Sequence, residues 1–197
     1  NAEYARSQID LPVQRLARGH GLSFEDMREK IEAYRENQAK LRGKKFSLTD
    51  TFAAFGVPLE ENIRWREELY DPSRYLKPDP VLRKTLKSLA SAFSFALVTN
   101  NPVSVAQKTL AALDIGDFFA VIVGLDTCGV SKPHTAPFLK AVETLGVPAG
   151  ECIALGDRYD FDIAPPLELG MGGILVDGVE DVYHLAELIA RNGRERE

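Results

Sequence analysis

ECIALGDRYDFDIAPPLELGMGGILV, residues 151–176, decides the fold. Its apolar run at 152–155 breaks at once into Gly156 and Asp157, and further carboxylates follow at Asp160 and Asp162. That pattern is a short buried strand running into an acidic loop. In an α/β sheet, ligands gather at the carboxyl ends of strands, so acids placed there are candidate ligands for a hard cation. Gly-Asp after a strand is also ordinary turn chemistry, and the stretch alone leaves both readings open.

Working outward, the same alternation recurs on both sides. Apolar runs at 95–98, 120–123 and 173–176 have strand length and composition. Between them lie helical patterns: Val103, Ala106 and Leu110 share one face, and Phe138, Val142 and Leu145 share another, with Gly146 as a C-cap. Asp79 and Pro80 read as an N-cap and first-turn proline for a helix bearing Leu82, Leu86 and Leu89. Four strands separated by helices predict an α/β fold with a doubly wound parallel sheet.

Residues 1–75 carry helical patterns and no strand. Ser23 and Asp26 open a helix whose Met27, Ile31 and Tyr34 line one face. Pro12 predicts a kink or a late start in the helix before it. Leu48, Phe52 and Phe55 suggest a short helix stopped by Gly56, and residues 63–69 another after Pro58, with Trp65 as a packing residue. The RGKK run at 42–45 reads as a solvated turn, with basic side chains that face a cleft and meet an anionic substrate as the alternative. Three prolines in DPSRYLKPDP, 71–80, mark the boundary between a helical sub-domain, 1–75, and the α/β unit, 76–197.

Composition narrows the function classes. A chain of 197 residues, 45% hydrophobic with net charge −5, is globular and lacks a basic field for nucleic acid or anionic lipid. It is long enough to bury roughly 70% of the surface its unfolded form exposes. No apolar run approaches the ~20 residues of a membrane span, and the first residues lack a secretory apolar segment, so a cytoplasmic location is expected. Cys128 and Cys152 form no CxxC pair and are expected as reduced core thiols. His20, His134 and His184 are scattered without ligand spacing. Arg158 and Tyr159 are expected in a salt bridge or in loop packing, and residues 195–197 as a frayed end.

Three strand ends carry complementary chemistry: Thr99 and Asn100, then Lys132, then Asp157 and Asp162. A hydroxyl and backbone N–H groups at a helix start suit a phosphate, a Lys is a compact cation, and carboxylates suit Mg²⁺. Together they form a set suited to phosphoryl transfer.

On these residues the sequence resembles the haloacid dehalogenase-like superfamily. FALVTNN is similar to its second motif, VSKPHTAPF to its third and GDRYDFD to its fourth. The resemblance implies Thr99 as the phosphate-binding hydroxyl with Asn100 beside it, and Lys132 steadying nucleophile and phosphate. It implies Asp157 as a ligand of Mg²⁺ and Asp162 as support for the metal's water shell. It further implies that the first 75 residues form a C1-type α-helical cap. The activity expected is hydrolysis of a small phosphomonoester through an aspartyl-phosphate.

The family's first motif, DxDx[TV] after an apolar strand, has no match: Asp10 has Pro12 where the second acid belongs, and Asp160-x-Asp162 lies in the fourth motif. The family pattern puts the strand bearing that motif in mid-sheet. An additional N-terminal segment of roughly 10 to 20 residues is therefore expected, supplying the strand and the nucleophile. The alternative is a non-catalytic relative that keeps the site for binding or regulation. Dehalogenase chemistry would not need the acids, and a receiver-like domain would not explain the helical front third. The sequence leaves oligomeric state open.

Overall fold

The structure is a computed structural model that describes residues 1–43 and 45–194, with side chains described as far as residue 189. Helix α1 (Ala2–Gly19) starts at Asn1, whose side chain accepts from the Glu3 and Tyr4 N–H groups. It runs through Pro12 without restarting there, against the expectation of a late start. The reason lies in a replaced hydrogen bond. Pro12 has no N–H for the Gln8 carbonyl four residues back, and the Tyr70 hydroxyl donates to that carbonyl instead.

Helix α2 (Phe24–Arg42) begins at the Ser23 cap, which accepts from the Asp26 N–H. Met27 and Ile31 are buried and Tyr34 half-buried, as the spacing predicts. Helix α3 (Leu48–Ala54) is capped by Ser47, and α4 (Leu59–Leu69) follows Pro58. The four helices close over one apolar cluster of Val13, Leu16, Met27, Ile31, Phe52 and Trp65. Trp65 packs edge-on against Phe52, the packing role expected of it. The turn expected at 42–45 includes Lys44, and the fraying expected at 195–197 also lies outside the described residues.

The remaining elements alternate. Helix α5 (Pro80–Leu89) is capped by Asp79, then come β1 (Phe95–Val98), α6 (Val103–Ala112), β2 (Phe119–Val123), a short α7 (Leu125–Cys128), α8 (Ala136–Leu145) and β3 (Ile153–Gly156). A π-helical turn (Tyr159–Ile163) leads into α9 (Ala164–Glu168), β4 (Gly172–Leu175), α10 (Val179–Tyr183) and α11 (Leu185–Arg194). Gly146 ends α8 with φ 70°, a left-handed position that glycine adopts without strain.

The strands pair in parallel, β1 with β2 and β3 with β4, in two separate ladders and not one continuous sheet. β1 lies beside β2, with Leu97 opposite Ile122, and β3 beside β4, with Leu155 opposite Ile174. The parallel α/β arrangement expected from the sequence is present, and β1 and β3 each have one ladder among the described residues. Leu155 is 37% exposed and Ile153 45%, high for apolar residues in strands. The two pairs still share a core: Phe95, at the start of β1, packs against the cluster of Leu89, Ile174, Val176 and Leu185. Cys128 and Cys152 are unpaired and half-buried, short of the full burial expected for core thiols.

Candidate active site

The carboxyl ends of β1 and β3 converge through Lys132. β1 continues into Thr99, whose N–H bonds Val123 O at 2.9 Å and so keeps the chain in register with β2. Thr99 Oγ1 accepts from the Asn101 N–H at 3.2 Å, which leaves its own hydroxyl proton free to donate. The Asn100 N–H enters no hydrogen bond among the described residues. These are two donors at a strand end, the placement that suits an anion.

The Asn100 side chain is committed elsewhere. Its Oδ1 accepts from the Lys132 N–H at 2.7 Å and its Nδ2 donates to Lys132 O at 3.1 Å, an amide clamp on the Lys132 main chain. Expected as a substrate contact, Asn100 has only its backbone N–H left for that role. The first N–H of α6, expected as an anion donor, is also taken: Asp126 Oδ1 accepts from Val103 N at 2.9 Å. Gly124 makes this turn possible, since a Cβ there would lie 2.7 Å from Val103 N and 2.9 Å from Asn101 O.

Lys132 is 8% exposed and sits on a cis Lys132–Pro133 peptide. Its Nζ donates to Val98 O at 3.0 Å and to Asp162 Oδ1 at 2.5 Å. Burial pushes the ammonium below its ordinary pKa, while Asp162 acts in the opposite direction by favouring the charged form. A pair this deep is costly to leave half-made: removing one partner strands the other charge, at about 3–5 kcal/mol.

The acidic loop separates its carboxylates. Asp157 stands at the end of β3 with its side chain 71% exposed and Arg158 Nε 3.9 Å away. Asp162 is 5% exposed, and its second oxygen accepts from the Arg158 N–H at 3.2 Å, with Arg158 Nε at 3.4 Å. Asp162, expected to support a metal's water shell, therefore faces cationic and N–H donors through both oxygens. Asp160 reaches the helical layer instead, 2.9 Å from Lys45 Nζ. Arg158 stacks over Phe161, so both expected roles, salt bridge and loop packing, are filled. No group of three or more His, Cys, Asp or Glu among the described residues is arranged to hold a metal.

The structure adds residues that the sequence did not single out. Ser131 Oγ bonds Ser47 Oγ at 2.9 Å, seating the start of α3 beside Lys132. Arg66, on α4, donates to Asn100 O at 3.0 Å and to Asn101 Oδ1 at 2.9 Å. Neither position had a spacing signal; Arg66 sits one residue from Trp65 in a helix that reads as ordinary packing. A cavity of about 410 Å³ lies between α1 and α2, lined by Arg6, Asp10, Arg28, Glu32 and Arg35 among others, and includes none of Thr99, Lys132, Asp157 or Asp162.

A family model described as haloacid dehalogenase-like hydrolase matches residues 5–170, most of the chain, and the chain belongs to that family. Among curated proteins it is similar to the phosphoglycolate phosphatase of Aquifex aeolicus, 38% identical over 96 residues, 48% of this chain and 45% of that protein. It is also similar to the phosphoglycolate phosphatase of Salmonella typhi, 31% identical over 143 residues, 68% of this chain and 54% of that protein. The chain thus spans about half the length of these curated relatives. The HAD-hydrolase YfnB of Bacillus subtilis, solved bound to magnesium, superposes with TM-score 0.57 over 92% of each chain at 18% identity, a likeness of fold. Among the described residues no helix is long and apolar enough to cross a membrane.

Proposed function

We propose that the chain belongs to a Mg²⁺-dependent phosphatase acting on a small phosphomonoester through an aspartyl-phosphate. The observation that carries this reading is the convergence of Thr99, Lys132 and the Asp157–Asp162 loop, with Lys132 Nζ joining β1 to the loop after β3. In this reading Thr99 Oγ1 and the Asn100 N–H donate to phosphoryl oxygens, and Lys132 offsets charge as it builds on the transferring group. Splitting the displacement through a covalent intermediate divides one difficult step into two easier ones.

The residues present fit Mg²⁺ in part. That ion is held by one or two carboxylates together with phosphate oxygens, and Asp157 offers an exposed carboxylate beside the strand ends. Asp162 serves it indirectly, by fixing Lys132 and the loop that carries Asp157. Bound there, Mg²⁺ would neutralise phosphoryl charge.

The nucleophile this mechanism needs is an aspartate on a strand seated between β1 and β3. Their unpaired edges and the exposure of Ile153 and Leu155 favour that place. The helices α1–α4 would form the cap over it, with residues 1–75 and 76–197 as the two units. The names of the curated relatives make 2-phosphoglycolate the first substrate to try. Two free thiols suit a reducing compartment such as the cytoplasm.

The experiment compares these 197 residues with a chain extended by a strand carrying DxDx[TV], assayed on p-nitrophenyl phosphate and 2-phosphoglycolate with and without Mg²⁺. Turnover is expected only from the extended chain with Mg²⁺, and Lys132→Ala should abolish most of it when assayed at a temperature where circular dichroism shows the variant folded. Mg²⁺-dependent turnover by the 197 residues alone would overturn the placement of the nucleophile. A folded, extended but inactive protein would favour the binding or regulatory alternative.

A further inference from the structure

Arg66 is 5% exposed, and among the described residues it meets no carboxylate. Its acceptors are neutral: Asn62 Oδ1 at 2.7 Å, Thr49 Oγ1 at 3.2 Å, Asn100 O at 3.0 Å and Asn101 Oδ1 at 2.9 Å. Burial pulls its pKa below the ordinary arginine value, yet a guanidinium keeps its proton at neutral pH. Asn62 itself is left with a buried Nδ2 that finds no acceptor. A buried charge of this kind is a poor stabiliser, because apolar side chains of similar volume often serve as well. Two of its four acceptors lie on α3 and α4, and the other two lie on the loop that carries Thr99.

Adjacent amides on that loop face opposite ways. Asn101 turns toward the helical layer, where Oδ1 accepts from Arg66 and Nδ2 donates to Gln8 Oε1 at 3.0 Å. Asn100 turns toward the strands, where it clamps both main-chain groups of Lys132. The chain of contacts therefore runs from α4 through Arg66 and the Asn pair to Lys132, whose Nζ is held between Val98 O and Asp162.

We infer that Arg66 is a positioning residue for Lys132. By gripping the backbone of Asn100 and the side chain of Asn101, it sets the asparagine clamp, and the clamp sets where the Lys132 ammonium points. The seating of the helical layer on the strands is thereby linked to the placement of the site's cation. The functional meaning of this inference rests on reading Lys132 as the phosphate-site cation, but the linkage itself is testable without turnover.

The test is amine labelling of the folded full chain with acetic anhydride, with reactivity read residue by residue. Lys132 is compared with Lys30, an exposed lysine on α2 that touches none of these groups. In Arg66→Met, Lys132 is expected to label about tenfold faster or more, the scale of a lost hydrogen bond to a charged group. Lys30 should be unchanged, and Arg66→Lys should restore part of the protection. Lys132 labelling within twofold of wild type in a folded Arg66→Met protein overturns the inference, as does an equal rise at both lysines.

If Arg66→Met does not fold, Asn101→Ala removes the loop acceptor while leaving the guanidinium in place, and the same thresholds apply. Calorimetric titration of wild type with inorganic phosphate and Mg²⁺ separates the two readings. Absence of binding counts against the phosphate site, while the labelling result decides the role of Arg66.

Discussion

Gly156→Ala probes the site at its tightest point. A Cβ built on Gly156 falls 2.2 Å from Asp162 Cβ and 2.9 Å from its Cγ, closer than real Cβ contacts allow. Gly156 lies in strand β3 outside the left-handed region, so alanine has no backbone penalty there and the whole effect is steric. Asp162 cannot easily yield. Its N–H bonds Arg158 O at 2.8 Å, and its carboxylate is held by the Lys132 ammonium and the Arg158 N–H. Opening the contact to a normal distance means moving Asp162 by roughly an ångström, enough to break its buried pair with Lys132. The expected loss is about 3–5 kcal/mol of unfolding free energy.

Urea denaturation reads that loss as a lower midpoint at constant m-value. Gly178→Ala is the control, with an extended backbone at φ 178° and nothing within 4 Å of the added methyl; it should stay within about 0.5 kcal/mol of wild type. A loss below about 1 kcal/mol for Gly156→Ala would refute the claim that Asp162 is pinned between strand and lysine, since so small a cost leaves no room for a broken buried pair.

Three further outcomes follow from other contacts. Tyr70→Phe leaves the part-buried Gln8 carbonyl beside Pro12 without its donor and should cost about 1–2 kcal/mol at neutral pH. Burial pushes the Tyr70 hydroxyl up to about 12 from 10.0, so the folded protein holds its proton where the unfolded chain has lost it. That contribution is complete below pH 10 and is lost as pH rises toward 12, a fall of about 2–3 kcal/mol that Tyr70→Phe should not show in denaturation curves; an identical alkaline slope in the variant would reassign the effect. Ser47→Ala removes the α3 cap and the tie to Ser131, and a thermal melt should register a loss of about 1–2 kcal/mol. Lys45→Ala breaks an exposed pair with Asp160 and should cost less than about 1 kcal/mol, a difference that 1 M salt erases.

The strands and most helices were legible because their signals are local. Asp79-Pro80 starts α5, Gly146 ends α8, and the runs at 95–98 and 152–155 became β1 and β3 with shifts of no more than a residue. Pro12 misled because the compensating donor, Tyr70, lies 58 positions away in sequence and belongs to another element.

At the site, Thr99, Lys132 and Asp157 were readable as types at strand ends. Their partners were not. That Asn100 faces Lys132 while Asn101 faces Arg66 is set by the path of one turn, and two adjacent asparagines look alike in sequence. The spacing marks Asp162 as an acid of the loop but does not show that it is also the counter-charge of the buried Lys132.

The π-helical turn at Tyr159–Ile163 has a consequence for how this loop can vary over time. Within it Asp160 ties to Lys45 on the helical layer, while Asp162, two residues on, ties to Lys132 among the strands. Along a helical path each residue points the next side chain in a new direction around the axis. Excising or inserting one residue here would swing one of the two carboxylates off its lysine, whatever amino acids remained. Substitutions at the exposed Tyr159 can drift freely, but the count of residues between Asp157 and Ile163 cannot: the loop is constrained by length before it is constrained by identity.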